Sequence, residues 1–97
     1  MAEQTSTMLT MLKIDLGIAS NGYDTRLTQI LETSEKAIIA EGASTLDKTK
    51  FEDAQLIVMY AAWIWRKRDT QEGMSRMLRW SLNNRIFAEK RGLSKWT

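Results

Sequence analysis

The sequence contains no cysteine, no histidine and no proline. Without cysteine the chain can form neither a disulfide nor a thiolate metal site, and it lacks a thiol nucleophile. Without histidine it also lacks the side chain that most often acts as a base near neutral pH. These two absences exclude most familiar catalytic and metal-binding arrangements, and the lack of cysteine is compatible with a reducing compartment.

Long apolar segments are also missing. The longest apolar run, residues 56–65, is about half of what a bilayer-spanning helix needs. The start of the chain lacks the basic residues and apolar stretch of a secretion signal. Its 97 residues, 43% apolar and 27% charged, are typical of one soluble globular domain. We therefore expect a cytosolic product with no membrane partner.

The spacing of apolar residues predicts four helices, and therefore a single all-α domain. The predicted helices cover residues 7–16, 24–41, 50–68 and 75–90. Gly17, Gly42 and Gly92 follow the first, second and fourth of these and are expected to end them. Trp96, beyond Gly92, is expected in a frayed terminus.

Two positions have the composition of helix N-terminal caps. Asp24 is expected to cap the second helix, and Thr49 with Glu52 has the spacing of a capping box for the third. The third helix would be about 28 Å long and would form the centre of the fold as a long apolar helix. Because its apolar residues occupy both faces, we expect a second copy of the chain to supply part of its cover.

Charge is distributed unevenly along the chain. Residues 1–53 contain 5 Lys/Arg and 9 Asp/Glu, which gives −4, whereas residues 54–97 contain 9 and 3, which gives +6. Such a division can direct a basic face to nucleic acid, or the acidic part of one subunit to the basic part of the next. Two solvated faces are the third interpretation.

Tryptophan is abundant in the basic half of the chain. On a helix, Trp63 and Trp65 point about 200° apart, so we predict that they cannot both face one intramolecular core and that one of them contacts another subunit. Core packing is the alternative. Asn83 and Asn84 are poor helix formers within a predicted helix, which makes them candidates for hydrogen bonds to a partner or for a solvated pair.

Acidic residues show no catalytic pattern. Glu52 and Asp53, the adjacent pair at a predicted helix start, are expected to complement the helix dipole rather than to act as an acid and a base. No phosphate-binding glycine loop and no metal-ligand spacing is present. We expect no enzyme, with no catalytic, cofactor-binding or metal-binding residues.

Several short motifs occur in the order seen in a known protein family. Residues 9–18, LTMLKIDLGI, place a lysine before an L-G-I turn, and Asp24 then introduces an amphipathic helix. The remaining motif residues are Leu27, Ile30, Leu31, Tyr60, Ala61, Ala62, Trp63, Arg66, Met74, Leu78, Leu82, Asn83 and Asn84. In these features most of the chain resembles the small head-tail connector proteins of tailed bacteriophages and prophages, also called adaptor or head-completion proteins. Ser75 stands where the resemblance leads one to expect proline.

The resemblance implies a structural virion protein with an all-helical subunit. It implies a homo-oligomeric ring with the symmetry of the portal, located at the head-tail junction and made in the cytoplasm of the host bacterium. Its partners would be other copies of itself, the portal protein and a tail-side connector or stopper protein. DNA would pass through the channel without sequence-specific binding, and no cofactor is implied.

A ring closes through a heterologous interface, in which one face of a subunit meets a different face of the next. The uneven charge of the two halves suits such a contact. We expect the interface on the exposed sides of the third and fourth helices, at Trp63, Trp65, Arg68, Arg76, Arg79 and Asn83.

The basic residues also support an alternative function. A series of cations could contact phosphates, as in a small helical DNA-binding protein of phage origin that serves in packaging or regulation. The series consists of Arg66, Lys67, Arg68, Arg76, Arg79 and Arg85. An interaction module of unrelated origin is a third interpretation.

Overall fold

A computed structural model of the chain describes residues 2–68 and 73–96, with side chains described for 7–68 and 73–91. It contains four helices: α1 (Ala2–Leu16), α2 (Asp24–Glu41), α3 (Phe51–Lys67) and α4 (Arg76–Trp96). No strand occurs in these residues. The predicted all-α, single-domain fold is confirmed, and no helix among the described residues is long and apolar enough to cross a membrane.

The helix boundaries agree closely with the sequence except at the two ends of the chain. α2 has the predicted limits, and α3 differs from them by one residue at each end. α1 starts five residues earlier than predicted. The prediction that Gly92 ends α4 is wrong, because the helix continues to Trp96. A glycine inside a helix costs only about 1 kcal/mol relative to alanine, so it ends a helix only where the chain also turns away.

Gly17 and Gly42 do end their helices, through the same backbone motif. At Gly17 (φ 72°) the amide donates to the Ile14 carbonyl at 3.2 Å, and the next amide donates to the Lys13 carbonyl at 2.9 Å. Gly42 (φ 135°) repeats the arrangement with the carbonyls of residues 39 and 38. This is the Schellman motif, whose positive φ is readily available only to glycine.

The prediction that Asp24 caps α2 is wrong. Asp24 is the first residue within the helix, and Tyr23 occupies the cap position without a side-chain hydrogen bond. The Asp24 carboxylate instead lies 2.8 Å from the ammonium of Lys13, which also donates to Asn21 at 3.0 Å. The end of α1 therefore places a cation close to the start of α2. This cation binds the carboxylate that was expected to cap the helix.

The predicted capping box at α3 is also wrong. Lys50 is the cap residue, with extended backbone and no side-chain hydrogen bond to the helix. The amide and hydroxyl of Thr49 both donate to Oδ1 of Asp47, at 2.9 and 2.6 Å. Thr49 therefore belongs to a turn begun by Asp47, and the position of its side chain is set by that carboxylate.

α3 packs against each of the other three helices. With 17 residues it is shorter than α2 and α4, so the prediction of a long central helix is not confirmed. Within residues 56–62 every side chain except Met59 is buried. The chain itself therefore covers both faces of this segment, and the expectation that a second copy must cover it is wrong there. The largest fully buried side chains are Leu12, Leu27, Leu31, Ile38, Ile57, Leu78, Leu82, Val58 and Ser34.

Three glycines provide a graded test of these turns. A Cβ added at Gly42 would have φ 135° and lie 3.1 Å from Cγ2 of Ile86 on α4, whereas one at Gly17 would meet nothing within 4 Å. We expect Gly17→Ala to lower the free energy of unfolding by about 1–2 kcal/mol, and Gly42→Ala by about 2–3 kcal/mol. Gly22→Ala, where φ is not positive and the nearest atom is 3.8 Å away, is the control and should change it by less than about 0.5 kcal/mol.

Urea unfolding of the three variants measures these differences. Equal losses for Gly17→Ala and Gly42→Ala would show that the contact between α4 and the end of α2 contributes nothing to the cost.

Candidate subunit interface

The two tryptophans of the predicted interface both pack against the core. Trp63 lies edge-on to Tyr60, with 5.4 Å between ring centroids, and Trp65 lies edge-on to Tyr23 at the same distance. The prediction that the two rings cannot both meet one intramolecular core is wrong. α1 and α2 cover one part of α3 and α4 covers another, so the core surrounds more than one face of this helix.

Cations at the end of α3 lie over both of these rings. The ammonium of Lys67 is 4.1 Å from the centroid of Trp63, and the guanidinium of Arg68 is 3.7 Å from that of Trp65. Arg68 also donates to the carbonyl of Trp65. These cation–π contacts cover faces of two rings, one of which was expected to contact another subunit.

The other three predicted interface residues share one exposed side of α4. Arg76, Arg79 and Asn83 are spaced by three and four residues, which aligns them on the helix. Arg79 also influences Tyr60: burial raises the pKa of this phenol, the Glu41 carboxylate raises it further, and Arg79 opposes the shift. The structure therefore brings these three residues together on α4, while Trp63 and Trp65 lie in the last turns of α3 and Arg68 directly follows that helix.

A different side of α4 exposes large apolar side chains that the sequence analysis did not single out. Met77 is 69% exposed, Trp80 65% and Phe87 59%. Together with Asn84 they are spaced by three, four and three residues, opposite the buried Leu78 and Leu82. Such spacing is typical of a helix seam that contacts another helix, and it could have been read from the sequence once a second apolar stripe was sought.

Part of this apolar side forms one wall of a groove between α3 and α4. The groove has a volume of about 570 Å³. Its lining residues are Glu52, Asp53, Gln55, Leu56 and Met59 from α3, and Met77, Trp80, Ser81, Asn84, Arg85 and Ala88 from α4. Met59, the one residue of 56–62 that is not buried, lies here. The groove is therefore one place where α3 lacks complete cover.

A cluster of ion pairs fixes the end of the groove. Arg85 donates from Nε to Asp53 at 2.9 Å and from a terminal nitrogen to Glu89 at 3.2 Å. Glu89 in turn accepts the amide and hydroxyl of Thr45 at 3.0 and 2.6 Å, and the hydroxyl of Ser44 at 3.1 Å. This cluster joins α3, α4 and the connection that follows α2.

The cluster revises one interpretation of the sequence and adds to another. Arg85 was expected in a phosphate-binding series, but its guanidinium is held by Asp53 and Glu89. Asp53 lies in the first turn of α3, as expected for a carboxylate that complements the helix dipole, and it also accepts hydrogen bonds from Arg85 and from the amide of Asp47. The exposed carboxylate of the groove is consequently that of Glu52.

Among the described side chains, no group of three or more acidic residues is arranged to hold a metal ion. Comparison with known proteins gives no match: no family model, no curated protein and no solved structure is similar to the chain. The assignment of function therefore depends on the geometry above and on the motifs of the sequence.

Glu89 makes the cluster sensitive to acid. The side-chain and backbone hydrogen bonds from Thr45, followed by those from Ser44 and Arg85, lower its pKa from 4.5 to about 2. A lowered pKa in the folded state stabilises the fold fully above 4.5, and this contribution is lost as the pH falls through about 2. Glu89→Gln should therefore be less stable at pH 7 and lose less stability between pH 4.5 and 2.

Urea midpoints at a series of pH values test this expectation. Glu32→Gln, which removes an exposed carboxylate from α2, is the matched control and should keep the pH dependence of the original chain. If Glu89→Gln keeps it as well, the cluster is not the acid-sensitive element.

Proposed function

We propose that this protein is a structural subunit of a tailed bacteriophage or prophage that forms a ring between the portal of the DNA-filled head and the tail. The observation that carries the proposal is the apolar outer side of α4, where Met77, Trp80 and Phe87 are each more than half exposed. At 150–250 Å² for each large side chain, these residues form a patch on the order of 400 Å². A patch of that size is often functional, and its place on one side of α4 supports a role in protein contact.

The distribution of charge supports a ring rather than a symmetric pair. A ring requires two different faces on each subunit, because the contact is heterologous. On α4 the basic side with Arg76 and Arg79 is separate from the side that lines the groove, and the exposed carboxylate of the groove is Glu52. Two unlike faces are thus present on neighbouring parts of one subunit.

The motifs that resemble the connector family correspond to defined features of this fold. The L-G-I motif is the Schellman turn at Gly17, and Tyr60, Ala61 and Ala62 are buried where α3 meets its neighbours. Ser75, which stands in place of the expected proline, accepts a hydrogen bond from the amide of Leu78 at 3.1 Å and caps α4. The resemblance indicates which assembly the protein would join. The exposed side of α4 is a surface through which it could join it.

The DNA-binding alternative has less support than it had from the sequence. Arg85 is engaged in the ion cluster, and Lys67 and Arg68 lie over tryptophan rings. In the connector ring, DNA passes through the channel without base-specific contacts.

Deletion of the gene from the phage or prophage genome that encodes it tests the function. We expect DNA-filled heads and separate tails in electron micrographs, and loss of infectious particles that the intact gene restores. Complete tailed particles from the deletion strain would contradict the proposal.

Complementation of this deletion also tests the basic side of α4. The double variant Arg76→Glu/Arg79→Glu should lower the yield of infectious particles by about tenfold or more, because like charges across an interface are costly. The control is Arg26→Glu/Lys36→Glu, which makes the same charge change at exposed positions of α2 and should complement fully. Equal yields from the two double variants would show that the basic side of α4 is not part of the ring contact.

A further inference from the structure

We propose that neighbouring subunits join by placing an exposed ridge of α4 from one copy into the α3–α4 groove of the next, with Phe87 at the centre of the contact. The ridge consists of Asn83, Phe87, Lys90 and Arg91. This inference rests on the proposed ring, and it specifies which surfaces of the subunit meet.

The ridge and the groove lie on adjoining sides of the same helix, because Trp80, which lines the groove, is only about 20° from Phe87 around the helix. Phe87 is 59% exposed and does not line the groove, and the guanidinium of Arg91 lies 5.8 Å from its ring centroid. Successive residues of a helix are 100° apart, which places Asn83 and Lys90 on the far side of Phe87 from the groove residues Ser81 and Ala88. A contact of ridge to groove is therefore heterologous, as ring closure requires.

The groove has the shape and chemistry to receive an aromatic ridge. Leu56, Met59, Met77 and Trp80 provide apolar walls, and two of these are methionines, whose flexible side chains adapt to an aromatic ring. Ser81 and Ala88 are small, so another helix can approach α4 closely on this side. The volume of about 570 Å³ leaves room for more than one side chain.

Charge identifies the occupant as a second copy of this chain. Asp53 and Arg85 are paired with each other, so the groove presents the exposed carboxylate of Glu52. The ridge carries the cations Lys90 and Arg91 on either side of Phe87. An apolar groove with an acid at its edge thus matches an aromatic ridge with flanking cations on the same molecule.

We place the ring axis parallel to α4, and in that arrangement rotation keeps each residue of every copy at the same height. Glu52 lies level with the middle of α4, because the adjacent Asp53 binds Arg85. Lys90 of one copy would then approach Glu52 of the next, while Phe87 enters the groove near Ala88.

The contact should be weak in solution. The exposed apolar side of α4, on the order of 400 Å², is about half of the roughly 800 Å² per partner found in a standard interface. Assembly would therefore need high concentration or the template of the portal, and a trapping experiment suits it better than an equilibrium measurement.

Disulfide trapping can detect this contact, because the chain has no cysteine of its own. Two single variants, Glu52→Cys and Lys90→Cys, are mixed under mild oxidation. We expect the mixed disulfide to form about tenfold faster than either homodimer, and about tenfold faster than in a control mixture of Glu52→Cys with Lys36→Cys on α2. Equal rates in the test and control mixtures would overturn the proposal.

Directionality gives a second and stricter test. Phe87→Glu should slow trapping by about tenfold or more when it is placed in the Lys90→Cys copy, which supplies the ridge. In the Glu52→Cys copy it should change nothing. Ala88→Glu, at a groove residue about 100° from Phe87 around the helix, should show the reverse pattern; both residues are exposed, so the fold should persist, which circular dichroism can check. Slowing by either substitution in both copies would indicate a symmetric contact and overturn the proposal.

The trapping and deletion experiments together distinguish failure of this contact from failure of the proposed function. If trapping fails while the gene deletion gives separate heads and tails, the ridge-to-groove contact is wrong and the connector function stands. If trapping succeeds while the deletion leaves complete particles, the chain self-associates as proposed but does not serve as a connector.

Discussion

The ion cluster of Arg85, Asp53 and Glu89 is the interaction on which the rest of the surface depends. It joins α3 and α4 at the groove, and through Thr45 it also attaches the connection that follows α2. Because Glu89 is largely buried, removal of Arg85 would leave its carboxylate with only the hydrogen bonds from Thr45 and Ser44 and no cation beside it, which is a costly state. The apolar contacts of α4, centred on Leu78 and Leu82, determine which side of α4 faces the core. The ion pairs fix the position of α4 along the axis of α3. The width of the groove follows from both.

Local sequence signals predicted the helices well, and tertiary contacts explain where prediction failed. Gly17 and Gly42 end helices by backbone geometry that needs only the glycine itself, so the sequence alone identified them. The two caps failed for a different reason. Asp24 and Thr49 have the right side chains, but Lys13 and Asp47 lie closer to them than the helix amides do. A capping residue in the sequence shows that a side chain could bind the amides at a helix start. Its neighbours in the folded structure determine which hydrogen bonds it makes.

The candidate interface was predictable only in part, for a related reason. Charge and spacing identified Arg76, Arg79 and Asn83 as one exposed side of α4, since exposure of charged residues follows from the helix period. Trp63 and Trp65 were assigned by angle alone, and that argument assumed a core on one side of α3. Phe87 was missed because it stands between the apolar residues Ile86 and Ala88, and the sequence does not show which of the three faces solvent until the buried stripe of the helix is known.

α4 shows how a domain of this size divides one helix among several tasks. One side, with Leu78 and Leu82, completes the core, a second carries Arg76 and Arg79, and a third exposes Met77 and Trp80. A monomer with no assembly partner gains nothing from the third side, because exposed aromatic residues favour aggregation. Retaining it is reasonable when the same surface becomes buried in an ordered assembly. In the proposed ring, Lys90 and Arg91 beside Phe87 would have a second effect, because they would repel copies that approach in another orientation.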